Sequence, residues 1–106
     1  ETAATGTQDG TSVETATEPP PVSIRVEGGE PVGGPARIVV RKDDVVRFVV
    51  TSDVGDEVHV HGYDISKSVG PGRRASFRFP AEIEGIFEIE LEGLGIEVAS
   101  LVVQPR

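Results

Sequence analysis

From residue 22 onward, apolar and polar side chains alternate with a period of two. Val22, Ile24 and Val26 alternate with Ser23, Arg25 and Glu27 until Gly28-Gly29 breaks the run. Successive side chains of a strand point to opposite faces, so this spacing predicts a strand with one buried face. Pro31 to Pro35 reads as a loop, Ala36 to Val40 as a second strand, and Arg41 to Asp44 as a polar turn. Val45 to Thr51 is the most apolar strand. Its Val46, Phe48 and Val50 share one face, while Val45, Arg47 and Val49 predict a half-covered other face. Asp56 to Tyr63 and Ile65 to Val69 continue as extended chain, and Gly70-Pro71-Gly72 is a strong turn signal. Ala75, Phe77 and Phe79 alternate up to Pro80; Phe87, Ile89 and Leu91 alternate up to Gly93; Ala99, Leu101 and Val103 close the pattern before Pro105. About seven or eight short strands with turn signals at this spacing predict an all-β, antiparallel-rich sandwich with Greek-key connections. Phe48, Phe77, Phe79 and Phe87 are expected in its core. No stretch has a sustained helical period.

Residues 1–21 differ in kind. They are rich in Thr, Ala, Gly and Glu, carry four acids (Glu1, Asp9, Glu14, Glu18) and no base, and end in Pro19-Pro20-Pro21. Such a segment lacks the apolar surface to offset its ordering entropy, so a disordered acidic Thr/Pro-rich tail is expected ahead of a domain spanning 22–106. Its proline run makes an extended spacer. A tail of this kind resembles the stalk of a bacterial lipoprotein, and the absence of any methionine suits a processed, exported product. The expected setting is extracytoplasmic, at the periplasm or cell surface, with a lipid anchor upstream of residue 1 and no membrane insertion by this chain.

The net charge of −8 argues against nucleic acid and anionic membranes as partners, because both need clustered Lys and Arg. Arg73, Arg74 and Arg78 form the one local basic cluster and read as a solvated strand face. With no cysteine, thiolate catalysis, disulfides, Fe–S clusters and Cys-zinc sites are excluded. The chain lacks asparagine and takes most of its positive charge as arginine, which suits a thermostable protein or a GC-rich genome.

Candidate chemistry gathers in Asp56-Glu57-Val58-His59-Val60-His61-Gly62-Tyr63-Asp64, which holds both histidines and the sole tyrosine. On a strand, His59 and His61 fall on one side with Cβ atoms roughly 6–7 Å apart, close enough to share one ion. Asp64 and Glu92 are the preferred carboxylate helpers, with Asp56, Glu57, Glu90 and Glu97 also in reach of the argument. Two imidazoles and a carboxylate suit Cu(II) or Zn(II). Two orientations stay open: if Val58 and Val60 fill the core, both histidines face outward; otherwise His59, His61 and Tyr63 point inward near one end. Tyr63 reads as core. No nucleophile elbow or oxyanion hole is marked, so the chain is not expected to be an enzyme.

The order Val45 to Val50, Asp56-Glu57-Val58-His59, Val69-Gly70-Pro71-Gly72, Phe77-Arg78-Phe79, Gly85 to Ile89 and Leu101-Val102-Val103 resembles the cupredoxins. It is similar to the copper domain of cytochrome c oxidase subunit II and to plastocyanin-like domains of exported bacterial proteins. The resemblance covers about Val22 to Arg106 and implies a cupredoxin-like Greek-key sandwich, with His59 at the first copper-histidine position. It also implies a Cys where Leu91 stands and a His and Met in the loop Glu92 to Glu97, which has neither. A blue-copper centre needs that thiolate, so type 1 electron transfer is excluded. Two expectations follow: an extracytoplasmic module holding copper(II) or zinc through His59 and His61, or a metal-free structural or protein-interaction module whose protein partner the sequence does not identify.

Overall fold

The computed structural model describes residues 20–106, so nearly all of the expected tail lies outside the described residues. Nine strands follow one another: β1 (Val22–Glu27), β2 (Glu30–Pro31), β3 (Ala36–Arg41), β4 (Val45–Ser52), β5 (Asp56–Val60), β6 (Ile65–Val69), β7 (Ala75–Pro80), β8 (Gly85–Leu91) and β9 (Ile96–Gln104). They form two sheets, ordered β2-β1-β4-β7 and β3-β9-β8-β5-β6. The all-β sandwich and its strand pattern are as the alternation predicts. The additional strand is β2, two residues at the start of the expected loop, Glu30 just before it and Pro31 its first, that pair with Glu27 and Val26. Pro31 is tolerated there because β2 is a sheet edge, where a missing N–H disrupts no further ladder. Pairing is mostly antiparallel; β1 with β4 and β3 with β9 are parallel.

The core lies between the sheets. Val46, Phe48 and Val50 of β4 are fully buried, while Val45, Arg47 and Val49 are half-buried, as their alternation requires. Phe48 stacks on Phe77, its cross-strand neighbour, with ring centroids 4.5 Å apart and planes at 13°. Phe77 and Phe79 are buried, whereas Phe87 is partly buried and packs at the margin against Tyr63. In the second sheet, Val58 and Val60 of β5, Ile89 and Leu91 of β8, and Leu101 of β9 are fully buried. A register shift between Ile89 and Glu90 places an extra residue in β9, which is why the adjacent Val98 and Ala99 are both buried.

Candidate metal centre

Because Val58 and Val60 fill the core, alternation turns His59 outward, onto the solvent-facing side of the second sheet. His59 pairs with Glu90 of β8 on one side and Ser66 of β6 on the other. His61 follows the last residue of β5, and its N–H still donates to the Glu88 carbonyl (2.9 Å), which carries the ladder one residue further. Gly62 (φ 83°) and Asp64 (φ 57°) then reverse the chain into β6. The inward orientation is thereby set aside for both histidines. Tyr63 does turn towards the core, because the left-handed Gly62 interrupts the alternation; its hydroxyl accepts from the Ile83 N–H and donates to the Ile83 carbonyl, both at 2.9 Å.

His59, His61 and Glu90 each offer a ligand atom, and these atoms lie within 4.8 Å of one another. The imidazole centroids are 4.6 Å apart, and His61 Nε2 lies 2.5 Å from Glu90 Oε1. His59 is largely covered, its side chain 19% exposed. Its Nδ1 is buried and has no hydrogen-bond partner. A buried polar nitrogen left unpaired costs about 1–3 kcal/mol, so the atom is a ready position for an electron-pair acceptor. Ligands about 2.0–2.2 Å from a common ion sit roughly 3–3.5 Å apart, so binding would open the 2.5 Å His61–Glu90 pair to admit the ion.

The sequence-named carboxylates divide. Asp64 Oδ1 is 3.9 Å from His59 Nε2 and Glu92 Oε1 is 4.0 Å from His59 Nδ1, so both flank His59 without bonding to it. Glu90, on strand β8 rather than in the following loop, is the carboxylate that reaches the histidines. Asp56 has a different task. Its carboxylate accepts the N–H groups of Glu57, Gly93 and Leu94 at 2.7, 2.7 and 3.0 Å and so holds the β8–β9 turn. Although desolvation pushes its pKa upward, these three bonds outweigh it and hold the group below its ordinary 3.8. A depressed carboxylate pKa stabilises the fold above the unfolded value and loses that contribution as pH falls through the folded one. We expect Asp56→Ala to cost about 1–2 kcal/mol at pH 7 by urea unfolding, and the difference from wild type to shrink below pH 3.8. A penalty that is unchanged across that range would refute the assignment.

His61 titrates upward from 6.5: the Glu90 hydrogen bond is the largest cause, partial desolvation opposes it, and the charges of Glu90, Glu88 and Glu92 add to it. The pair's contribution to stability is therefore complete below about 6.5 and declines as pH rises through the higher folded value.

A type 1 copper centre does not fit the fold's usual position for it. There is no thiolate in the chain, and Leu91, where the resemblance implies Cys, is fully buried in the core. The acid at the start of β5 that meets the β8–β9 turn is Asp56, already bonded to the turn's backbone.

No protein-family model matches the sequence, and no curated protein matches it. Solved structures do resemble it. A copper binding protein determined in its apo form by NMR is 22% identical, with TM-score 0.57 over 77% of this chain and 86% of that one. A chain of a heme-copper terminal oxidase dimer is 19% identical, with TM-score 0.61 over 94% and 78%. The copper-containing nitrite reductase of Thermus scotoductus is 15% identical, with TM-score 0.55 over 79% of this chain and 27% of that one. Residues 20–106 thus have a cupredoxin-like fold.

Proposed function

We propose that this domain is an extracytoplasmic metal-binding module that takes up Cu(II) or Zn(II) at His59, His61 and Glu90 without type 1 electron transfer. The observation that carries this reading is the buried, unpartnered Nδ1 of His59 beside His61 and Glu90. Among divalent first-row ions, Cu(II) binds nitrogen–oxygen donor sets most tightly, and two of the similar structures are described as copper proteins. The acidic surroundings favour a cation, with Glu88 and Glu92 near His61 and Asp64 and Glu92 near His59. Its ligand atoms are two imidazoles and a carboxylate, and it reads as holding or delivering a metal rather than catalysing a reaction. The exported setting rests on the tail composition.

The test is calorimetric titration of the full chain with Cu(II) at pH 7.5. One equivalent should bind, and His59→Ala, His61→Ala and Glu90→Gln should each weaken it at least about tenfold. Affinity should fall as pH is lowered, because the metal must displace the proton that Glu90 holds on His61; the loss should begin above 6.5 rather than at it. No intense blue band should accompany binding. Equal affinity in all four proteins would overturn the assignment and favour the metal-free interaction module, in which the His61–Glu90 pair is its own partner.

A further inference from the structure

Elsewhere on the outer face of the second sheet, the register lines up Val39 of β3, Val102 of β9 and Ile86 of β8 in one row across the strands. Ile86 is 74% exposed and Val39 46%, so the row is open to solvent at both ends. The neighbouring outward row reads Arg37, Ser100, Glu88. Charge is thus distributed antisymmetrically about β9, positive on the β3 side and negative on the β8 side. Arg37 and Glu88 are two strands apart, about 9–10 Å by strand spacing, and do not pair with each other across Ser100. Among the described residues no ion pair engages either of them.

We propose that this face binds a second copy of the chain about a two-fold axis running along β9. That axis exchanges the β3 and β8 sides while keeping each row at its own height. Val39 then meets the second copy's Ile86, and Arg37 meets its Glu88, twice per dimer. This is the self-complementarity a two-fold interface requires. β3 is the edge of the sheet and β5 lies one strand beyond β8, so His59 and His61 stay at the rim of the covered face, with His61 next to Glu88 at the end of its row. Three strands cover less than the roughly 800 Å² per partner of a standard interface, so the dimer is weak and salt-sensitive.

The experiment is sedimentation equilibrium of the full chain from about 0.05 to 1 mM in low salt, with circular dichroism confirming that each variant is folded. The mass should rise from monomer towards dimer and fall back at high salt. Ile86→Asp should abolish association. Arg37→Glu and Glu88→Arg should each weaken it at least about tenfold, because Glu then faces Glu and Arg faces Arg. Mixing these two variants should restore the dimer, since every facing pair again joins Arg to Glu. A monomer throughout the range would overturn the proposal. So would a dimer insensitive to both reversals and not strengthened by mixing them.

Discussion

Replacing Phe48 with alanine is expected to lower the unfolding free energy by about 3–5 kcal/mol. Phe48 is the one phenylalanine among the largest fully buried side chains, and it sits at the middle of β4, itself inside the first sheet. Its ring is stacked on Phe77 at 4.5 Å and meets Phe79 edge-on at 6.4 Å and 84°, so truncation removes two aromatic contacts at once. β4 itself is held on both sides by ladder bonds to β1 and β7 and cannot move far into the gap, which puts the cost in the upper part of the large-to-small range. A domain of this size has only about 5–15 kcal/mol in total, so the variant should be close to unfolding. Urea denaturation measures the loss, and Phe87→Ala, at a half-buried site, should cost clearly less. A loss under about 1 kcal/mol at Phe48 would show that the packing of the first sheet is not as described.

Gly62→Ala should be the most damaging single-methyl change, at about 2–4 kcal/mol. Gly62 has φ 83°, and a Cβ there would lie 2.4 Å from Phe87 Cδ1 and 2.7 Å from Cε1. The ring has little room to retreat, since it packs against Tyr63 with centroids 5.0 Å apart and planes at 83°. Tyr63 is in turn clasped to Ile83 by two hydrogen bonds. Gly72→Ala is the control: its φ is 74°, but a Cβ there would have nothing within 4 Å. It should cost only the left-handed backbone penalty, about 1 kcal/mol. Equal losses in the two variants, compared by urea unfolding, would rule out the Phe87 contact as the cause.

Much of this fold is written in side-chain period. Where a strand buries one face, as in β4 and β7, alternation identifies both the strand and the residues facing inward. It does so because a one-residue slip would expose the whole apolar set. β2 escapes that reading because a two-residue pairing has no period to detect. The face of the histidines was undecided for a related reason. Val58-His59-Val60-His61 alternates cleanly, but imidazole suits either side, and only the complete burial of both valines settles it. Glu90 illustrates what spacing along one chain cannot supply. Its approach to His61 depends on the register of β5 against β8, across an intervening β6 and β7 and a bulge beside Glu90 itself. The alternation of Glu88 and Glu90 with Phe87, Ile89 and Leu91 does mark both acids as outward, which narrows the choice without naming the contact. Asp56 was a plausible ligand by composition and is instead a turn clamp, a role visible only once Gly93 and Leu94 are seen to point their N–H groups at it.

Where a metal ion binds decides between a metal centre and a metal-free module. Pulsed electron paramagnetic resonance of the full chain loaded with one equivalent of Cu(II) reads the coordinating imidazoles directly. The structure predicts nitrogen couplings from two histidines in the wild type, from one in His59→Ala or His61→Ala, and a type 2 rather than type 1 copper spectrum in each. A wild-type spectrum without imidazole coupling, or one that persists unchanged in both variants, would contradict a metal centre at His59, His61 and Glu90.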